Sequence, residues 1–167
     1  ILYQSITQLL GFRKYGDEYK IMGMAAFGEP VYLEEFSKLL KFDPPYNFEL
    51  NQKYFALNTL TGYSFEGSEP YFPNLYNKNM YELFDITERN EKNISLNKAK
   101  NIASSLQTYL EKIVIKIIKN LDLEFDFDNL CLSGGVIFNS VLNGKISKHF
   151  KDKKIFLHHN AGDAGGA

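Results

Sequence analysis

Tryptophan is absent from this 167-residue chain, cysteine occurs once, as Cys131, and proline only 5 times. A single cysteine excludes an intrachain disulfide framework and any multi-cysteine metal cluster. It fits a reducing compartment, which makes the cytoplasm the expected location. An excess of charge of one sign is missing too. With 19 Lys and Arg against 20 Asp and Glu, a net charge of −1, there is no global positive field to hold a phosphate backbone, so nucleic acid is not an expected partner. Long apolar runs are also lacking: the greasiest stretch, Ile113 to Ile118, already contains Lys116, which excludes a membrane-spanning helix. What is present is 44% hydrophobic and 23% charged residues, far from the composition of disorder. That is enough for one domain burying roughly 70% of its unfolded surface, and too little for two ordinary ones.

The chain opens on Ile1-Leu2-Tyr3-Gln4, with no Met and no basic region ahead of an apolar run, unlike a secretory signal. It closes on Gly162-Asp163-Ala164-Gly165-Gly166-Ala167, a stretch more typical of an active-site loop than of a tail. The expectation is therefore one incomplete domain over 1–167, a segment of a larger protein, in three zones.

The first zone, 1–42, reads as helical. Leu2, Ile6, Leu9 and Leu10 recur at helical spacing, Gly11 stops that helix, and Tyr32, Leu33, Phe36, Leu39 and Leu40 form a second stripe after Pro30. Between them, Gly16, Gly23 and Gly28 suggest a constrained backbone around Lys20-Ile21-Met22-Gly23-Met24-Ala25. The second zone, 43–93, is an aromatic-rich insertion. Phe48 and Leu50, then Tyr54 and Ala56, alternate as strands do, Gly62, Gly67, Pro70 and Pro73 punctuate loops, and a short helix is expected near Asn79 to Phe84. Its aromatics either line a substrate cleft or glue the insertion to the core.

The third zone, 94–167, carries the clearest pattern. Ser95 caps a helix in which Ala99, Ile102, Ala103, Leu106, Leu110, Ile113, Val114, Ile117, Ile118 and Leu121 keep helical spacing over about 26 residues, or roughly 40 Å. There follow a strand at Asn129 to Ser133, two glycines, a helix from Val136 to Phe150, a strand at Lys154 to Leu157 and the glycine loop. Strand, helix and strand make a βαβ unit with parallel strands and a right-handed crossover. Ser133-Gly134-Gly135 and His158 to Gly166 then share the carboxyl edge of the sheet, where open α/β sheets bind ligands.

Three segments are candidates for chemistry. Gly134-Gly135, between strand and helix, lets backbone amides approach an anion, with Asn139 one turn further on; the other reading is a plain tight turn and a polar helix residue. Asp163, among glycines at a strand end, either offers a hard oxygen to a metal or makes an Asx-type turn. His158 and His159 point to opposite sides if the strand continues through them, so they do not share one metal. Lys20, followed by small residues, either presents charge beside a pocket wall or is simply solvated.

Taken together and in order, Leu2-Tyr3 through Thr7, Gly11-Phe12, Gly16 through Ala25, Asn129 through Val136 with Asn139 and Asn143-Gly144-Lys145-Ile146, and Gly162 through Gly165 resemble one family. It is the N-terminal domain of the O-carbamoyltransferases that modify nodulation factors and antibiotics. The resemblance implies an α/β fold, part of an actin and sugar-kinase-like (ribonuclease H-like) ATPase domain. It implies transfer of a carbamoyl group to a small-molecule or sugar hydroxyl, from a carbamoyl-adenylate made from carbamoyl phosphate and ATP in a C-terminal domain. Ser133, Gly134, Gly135 and Asn139 would hold the nucleotide phosphates, Asp163 a divalent metal, iron or magnesium, and Lys20 with Gly23 would lie near the adenylate or acceptor. Two metal-binding histidines are implied on a helix ahead of Ile1, and a proline common before the last loop is replaced by His159, so this stretch alone is not expected to turn over. The competing expectations are a sugar-kinase-like ATPase phosphorylating a hydroxyl, and a non-catalytic domain whose aromatic zone binds a glycan or partner protein.

Overall fold

The computed structural model describes residues 1–57, 64–67, 69–71, 73–86, 94–159 and 161–162. It is a mixed α/β chain with three small two-stranded sheets among the described residues. The chain divides into two compact units, one of Ile1–Asp43 and Asn47–Tyr109, the other of Pro44–Tyr46 and Leu110–Ala167.

In the first unit, α1 (Leu2–Leu9) buries Ile6 and Leu9, and the chain leaves it through Gly11 at φ +91°, a left-handed turn that glycine adopts without strain. α2 (Glu18–Ala25) buries Ile21 and Ala25. α3 (Leu33–Leu39) buries Phe36 and Leu39 but stops short of the sequence expectation. Leu40 is extended and opens β1 (Leu40–Asp43), which pairs antiparallel with β2 (Asn47–Leu50), Leu40 opposite Leu50 and Phe42 opposite Phe48. The strand at Phe48 and Leu50 is thus present. The alternation at Tyr54 and Ala56 is instead a 3-10 turn, Gln52–Tyr54, which Asn51 caps by accepting from the Lys53 amide; beyond it Phe55 makes an isolated bridge with Tyr76. β3 (Ser64–Glu66) and β4 (Glu69–Tyr71) form a second hairpin, with Gly67 at φ +67° between them and Pro70 inside a strand rather than in a loop. Gly62 lies outside the described residues.

α4 (Lys78–Leu83) falls where a short helix was expected, capped by the Asn77 side chain on the Asn79 amide at 2.9 Å. Five described aromatics of the insertion turn inward, whereas Phe48 and Phe65 are exposed. Tyr54, Phe55, Tyr76, Tyr81 and Phe84 are buried with Phe36 and with Ile102, Ala103 and Leu106 of the long helix that follows, which satisfies the gluing reading for those residues. Phe84 meets Phe36 at 5.4 Å between ring centres and Tyr32 edge-on at 5.8 Å. The buried Gln8 amide donates to the Pro73 carbonyl at 3.2 Å and accepts from the Leu75 amide at 2.9 Å, so both ends of a polar side chain are satisfied inside the core.

α5 (Leu96–Phe125) has 30 residues, four more than its apolar period suggested. It begins where expected, with Ser95 Oγ accepting from the Lys98 amide at 3.3 Å, and leaves through Asp126 at φ +44°. Gly28 lies so close to it that a Cβ at position 28 would stand 2.1 Å from the Lys100 carbonyl oxygen.

In the second unit, β5 (Asn129–Leu132) and β6 (Lys154–Leu157) are parallel, with Leu132 level with Leu157. α6 (Ser140–His149) connects them, and its Leu142 and Ile146 are buried with Ile118 and Phe150. The βαβ reading holds, but α6 starts at Ser140 rather than Val136, because Gly135–Phe138 is a separate 3-10 turn. Asn120 Nδ2 donates to the Pro45 carbonyl at 2.6 Å, and the Tyr46 hydroxyl meets the Glu124 carboxylate. Lys153 Nζ stands 2.7 Å from Asp122 Oδ1 and 5.3 Å from the centre of the Phe127 ring. No described helix is long and apolar enough to cross a membrane.

Two predictions follow from this packing. Gly28→Ala forces the Lys100 backbone to move and should cost about 1–3 kcal/mol, read as a lower urea midpoint with unchanged slope; an unchanged midpoint would contradict the contact. The hydrogen bond and charge of Asp122 hold the Lys153 ammonium pKa above its ordinary value. Its stabilising contribution is therefore full below about pH 10.4 and is lost as pH rises through the raised folded-state value. Lys153→Met should melt earlier than wild type near neutral pH, with the gap closing in strong alkali; a gap independent of pH would refute this.

Candidate functional site

The carboxyl ends of β5 and β6 carry the candidate site. Parallel pairing in the register Leu132 to Leu157 brings the segments that follow the two strands to one edge. After β5 the chain turns at Gly134, whose φ of +100° and ψ of 161° are a conformation that a side chain would strain. The Gly134 amide donates to the Ala161 carbonyl at 2.7 Å, and the Ser133 hydroxyl lies 3.5 Å from the same oxygen. The twin-glycine elbow and the loop after β6 therefore meet, as the sequence reading required, up to Gly162. A Cβ at Gly162 would stand 2.5 Å from the Phe138 ring, so that ring lies against the loop backbone.

Beyond Gly134 the turn closes on itself. The Ile137 amide donates to the Gly134 carbonyl at 2.9 Å and the Asn139 amide to the Val136 carbonyl at 3.1 Å. Among the described residues the Gly135 and Val136 amides meet no acceptor. Both residues are exposed, and a Cβ at Gly135 would meet nothing within 4 Å. Backbone amides without a described acceptor in an exposed turn can donate to an anionic oxygen, the kind of group that such strand-to-helix turns hold. The donors here belong to a 3-10 turn, whereas the α6 terminus lies four residues on.

Asn139 stands at the N-cap of α6. Its Oδ1 accepts from the Leu142 amide at 2.9 Å, so this side chain starts α6, as asparagine does at an N-cap. Asn143, one turn later, donates from Nδ2 to the Ile137 carbonyl at 2.7 Å. Asn143 belongs to a stretch that carries the family resemblance, and the resemblance implies no task for it.

His158 and His159 lie beyond the strand. β6 ends at Leu157, so strand alternation does not govern them, and their rings stack with centres 4.5 Å apart. Among the described residues no three of His, Cys, Asp and Glu gather as a metal site would need. Asp163, the expected metal ligand, lies outside the described residues.

Lys20 and Gly23 stand on α2 in the first unit. Lys20 Nζ is 2.5 Å from Asp17 Oδ1, a carboxylate whose side chain is 9% exposed, and 5.4 Å from the centre of the Phe12 ring. Asp17 Oδ2 also accepts from the Lys14 amide at 3.2 Å. Lys20 is thus neither simply solvated nor an unpaired charge. Gly23 lies within the helix and a Cβ there would meet nothing within 4 Å. The glycines that the backbone itself demands in this region are Gly16, at φ +86°, and Gly28.

Comparison with known proteins gives the chain a family. The family pattern described as Carbamoyltransferase N-terminus matches residues 1–167. The uncharacterized protein sll1178 of Synechocystis sp. is 35% identical over 168 residues, covering 100% of this chain and 25% of that protein. The nodulation protein NolNO of Sinorhizobium fredii is 29% identical over 167 residues, 100% of this chain and 21% of that protein. The nodulation protein NolO of Bradyrhizobium diazoefficiens is 28% identical over 168 residues, 100% of this chain and 26% of that protein. The chain spans about a quarter of the length of these relatives. With a family pattern covered from end to end, the chain belongs to the carbamoyltransferases, as a carbamoyltransferase N-terminus.

Proposed function

We propose that the protein containing this chain transfers a carbamoyl group from a carbamoyl-adenylate, made from carbamoyl phosphate and ATP, to a hydroxyl of a small molecule or sugar, and that the β5–α6 elbow holds the nucleotide's phosphate. The observation that carries the reading is the Gly134 amide bonded to the Ala161 carbonyl at 2.7 Å, which joins the two loops at the carboxyl edge of a parallel strand pair, in a chain matched throughout by a carbamoyltransferase family. That edge is where such sheets take ligands. The fold this reading expects is of the actin and sugar-kinase type.

Carbamoyl transfer is an acyl transfer. The acceptor oxygen attacks the carbamoyl carbon, the bond from that carbon to the adenylate phosphate oxygen breaks, AMP leaves with the electron pair, and the hydroxyl proton passes to solvent or a base. Amides at Gly135 and Val136, directed at the phosphate, offset the charge that grows on the leaving group and cost no reorganisation at that moment. Ser133 and Asn139 contribute through the frame, the one beside the Ala161 carbonyl and the other by starting α6. The ion pair of Lys20 with Asp17 gives the α2 segment a polar feature that an adenylate or acceptor can approach. A divalent metal enters this reading only through Asp163. Among the described residues no three of His, Cys, Asp and Glu gather as a metal site.

Two variants of the full-length protein test these assignments. A Cβ at Gly135 meets nothing within 4 Å, so Gly135→Val should keep the fold while filling the space before the amides. Calorimetry should show ATP affinity lowered by about 100-fold or more, ~2.7 kcal/mol, and phosphate release from carbamoyl phosphate that depends on ATP and acceptor should fall with it. Unchanged ATP affinity rejects the elbow as the nucleotide site. Asp163→Ala should lower the bound metal measured by elemental analysis; metal content equal to wild type rejects Asp163 as a ligand.

A further inference from the structure

We propose that Asn143 is the positioning residue of the Gly134–Gly135 elbow, acting through the Ile137 carbonyl rather than by touching a ligand. The inference rests on the nucleotide reading above and adds to it the side chain that fixes the cradle's geometry. Asn143 lies on the first turn of α6 and donates from Nδ2 to the Ile137 carbonyl at 2.7 Å. The Ile137 amide in turn donates to the Gly134 carbonyl at 2.9 Å. One carboxamide therefore grips the far side of the turn that the glycine pair opens. The orientation of that carboxamide is fixed, because a carbonyl oxygen only accepts and the nitrogen must face it.

The same orientation leaves Asn143 Oδ1 buried with no hydrogen-bond partner among the described residues. An acceptor buried unpaired costs at least as much as one neutral hydrogen bond returns net of water. The two terms offset, so Asn143 adds little to the stability of the second unit, and its contribution is the placement of the turn. Asn139 shows the contrast. Its Oδ1 is used on the Leu142 amide, so one asparagine starts the helix and the other ties the preceding turn to it. Loosening that tie lets the Gly135 and Val136 amides leave the direction in which they face an anion.

The test uses full-length protein as wild type, Asn143→Leu and Asn143→Asp. It reads amide hydrogen exchange at Ile137 and Asn139, the two amides that close the turn, the calorimetric Kd for ATP, and the melting midpoint. In both variants exchange at the two amides should accelerate by about tenfold or more and the ATP Kd should rise by about tenfold. The melting midpoint should stay within about 4 °C of wild type. Asn143→Asp keeps the shape and loses the donor, and a proton on the new carboxyl restores one. With intrinsic rates divided out, its exchange should return toward wild type as pH falls below the carboxyl pKa, whereas Asn143→Leu should not respond. Exchange unchanged in both variants overturns the proposal whatever the midpoint does, and so does faster exchange with ATP affinity intact. A wild-type protein that binds no ATP defeats the nucleotide reading instead, and the exchange rates and their pH response then decide the role of Asn143.

Discussion

The apolar stripe of α5 is the constraint on which both cores depend. Its 3.6-residue period puts Ile102, Ala103 and Leu106 into the core of the first unit and Ile118, with Leu110, Val114 and Ile115 beside it, into the core of the second. The other described helices have ten residues or fewer and the strands four or fewer, lengths that are marginal in water without a surface to cover. Burial against the long helix supplies that surface, and apolar burial is the dominant favourable term in folding. At one place the fit is limiting. Gly28 approaches the Lys100 carbonyl too closely for any side chain, so the first unit is built around that backbone contact as well as around its apolar residues.

The candidate site inherits its geometry from the second core. Leu142 and Ile146 anchor α6, the parallel register sets Leu132 level with Leu157, and the following loops then lie within one hydrogen bond of each other at Gly134 and Ala161. The elbow is held from three directions, by the Ala161 carbonyl, by its own 3-10 closure, and by Asn143 from the helix. Among the described residues the exposed Gly135 and Val136 amides remain as its backbone donors. In the proposed nucleotide reading, such donors would select an anionic oxygen by direction, which suits a phosphate whose charge changes as a bond to it breaks.

Much of this was legible in the sequence, and the failures have identifiable causes. Amphipathic period located α1, α5 and the βαβ order, because those elements bury one stripe each and the stripe is visible in the residue types. The start of α6 was misjudged by four residues. Val136, Ile137 and Phe138 continue an apolar pattern, whereas the positive φ of Gly134 and the capping side chain of Asn139 force a 3-10 turn first. Leu40 was assigned to a helix because its apolar side chain suits either state; pairing with Leu50 decided it. At the site, glycine spacing identified the elbow, and family resemblance rather than periodicity supplied its chemistry. The role of Asn143 depends on a hydrogen bond to a carbonyl six residues back, which no residue pattern announces.

The ion pair on α2 bears on how that segment can be probed. Asp17 is 6% exposed and its oxygens meet the Lys20 ammonium and the Lys14 amide. Truncating Lys20 would strand a sequestered carboxylate, whose desolvation is then uncompensated. Loss of activity on removing that lysine would therefore register first as damage to the helix entry. Exchanging the two residues for an isosteric neutral couple would separate electrostatic guidance of an incoming anion from simple upkeep of the scaffold.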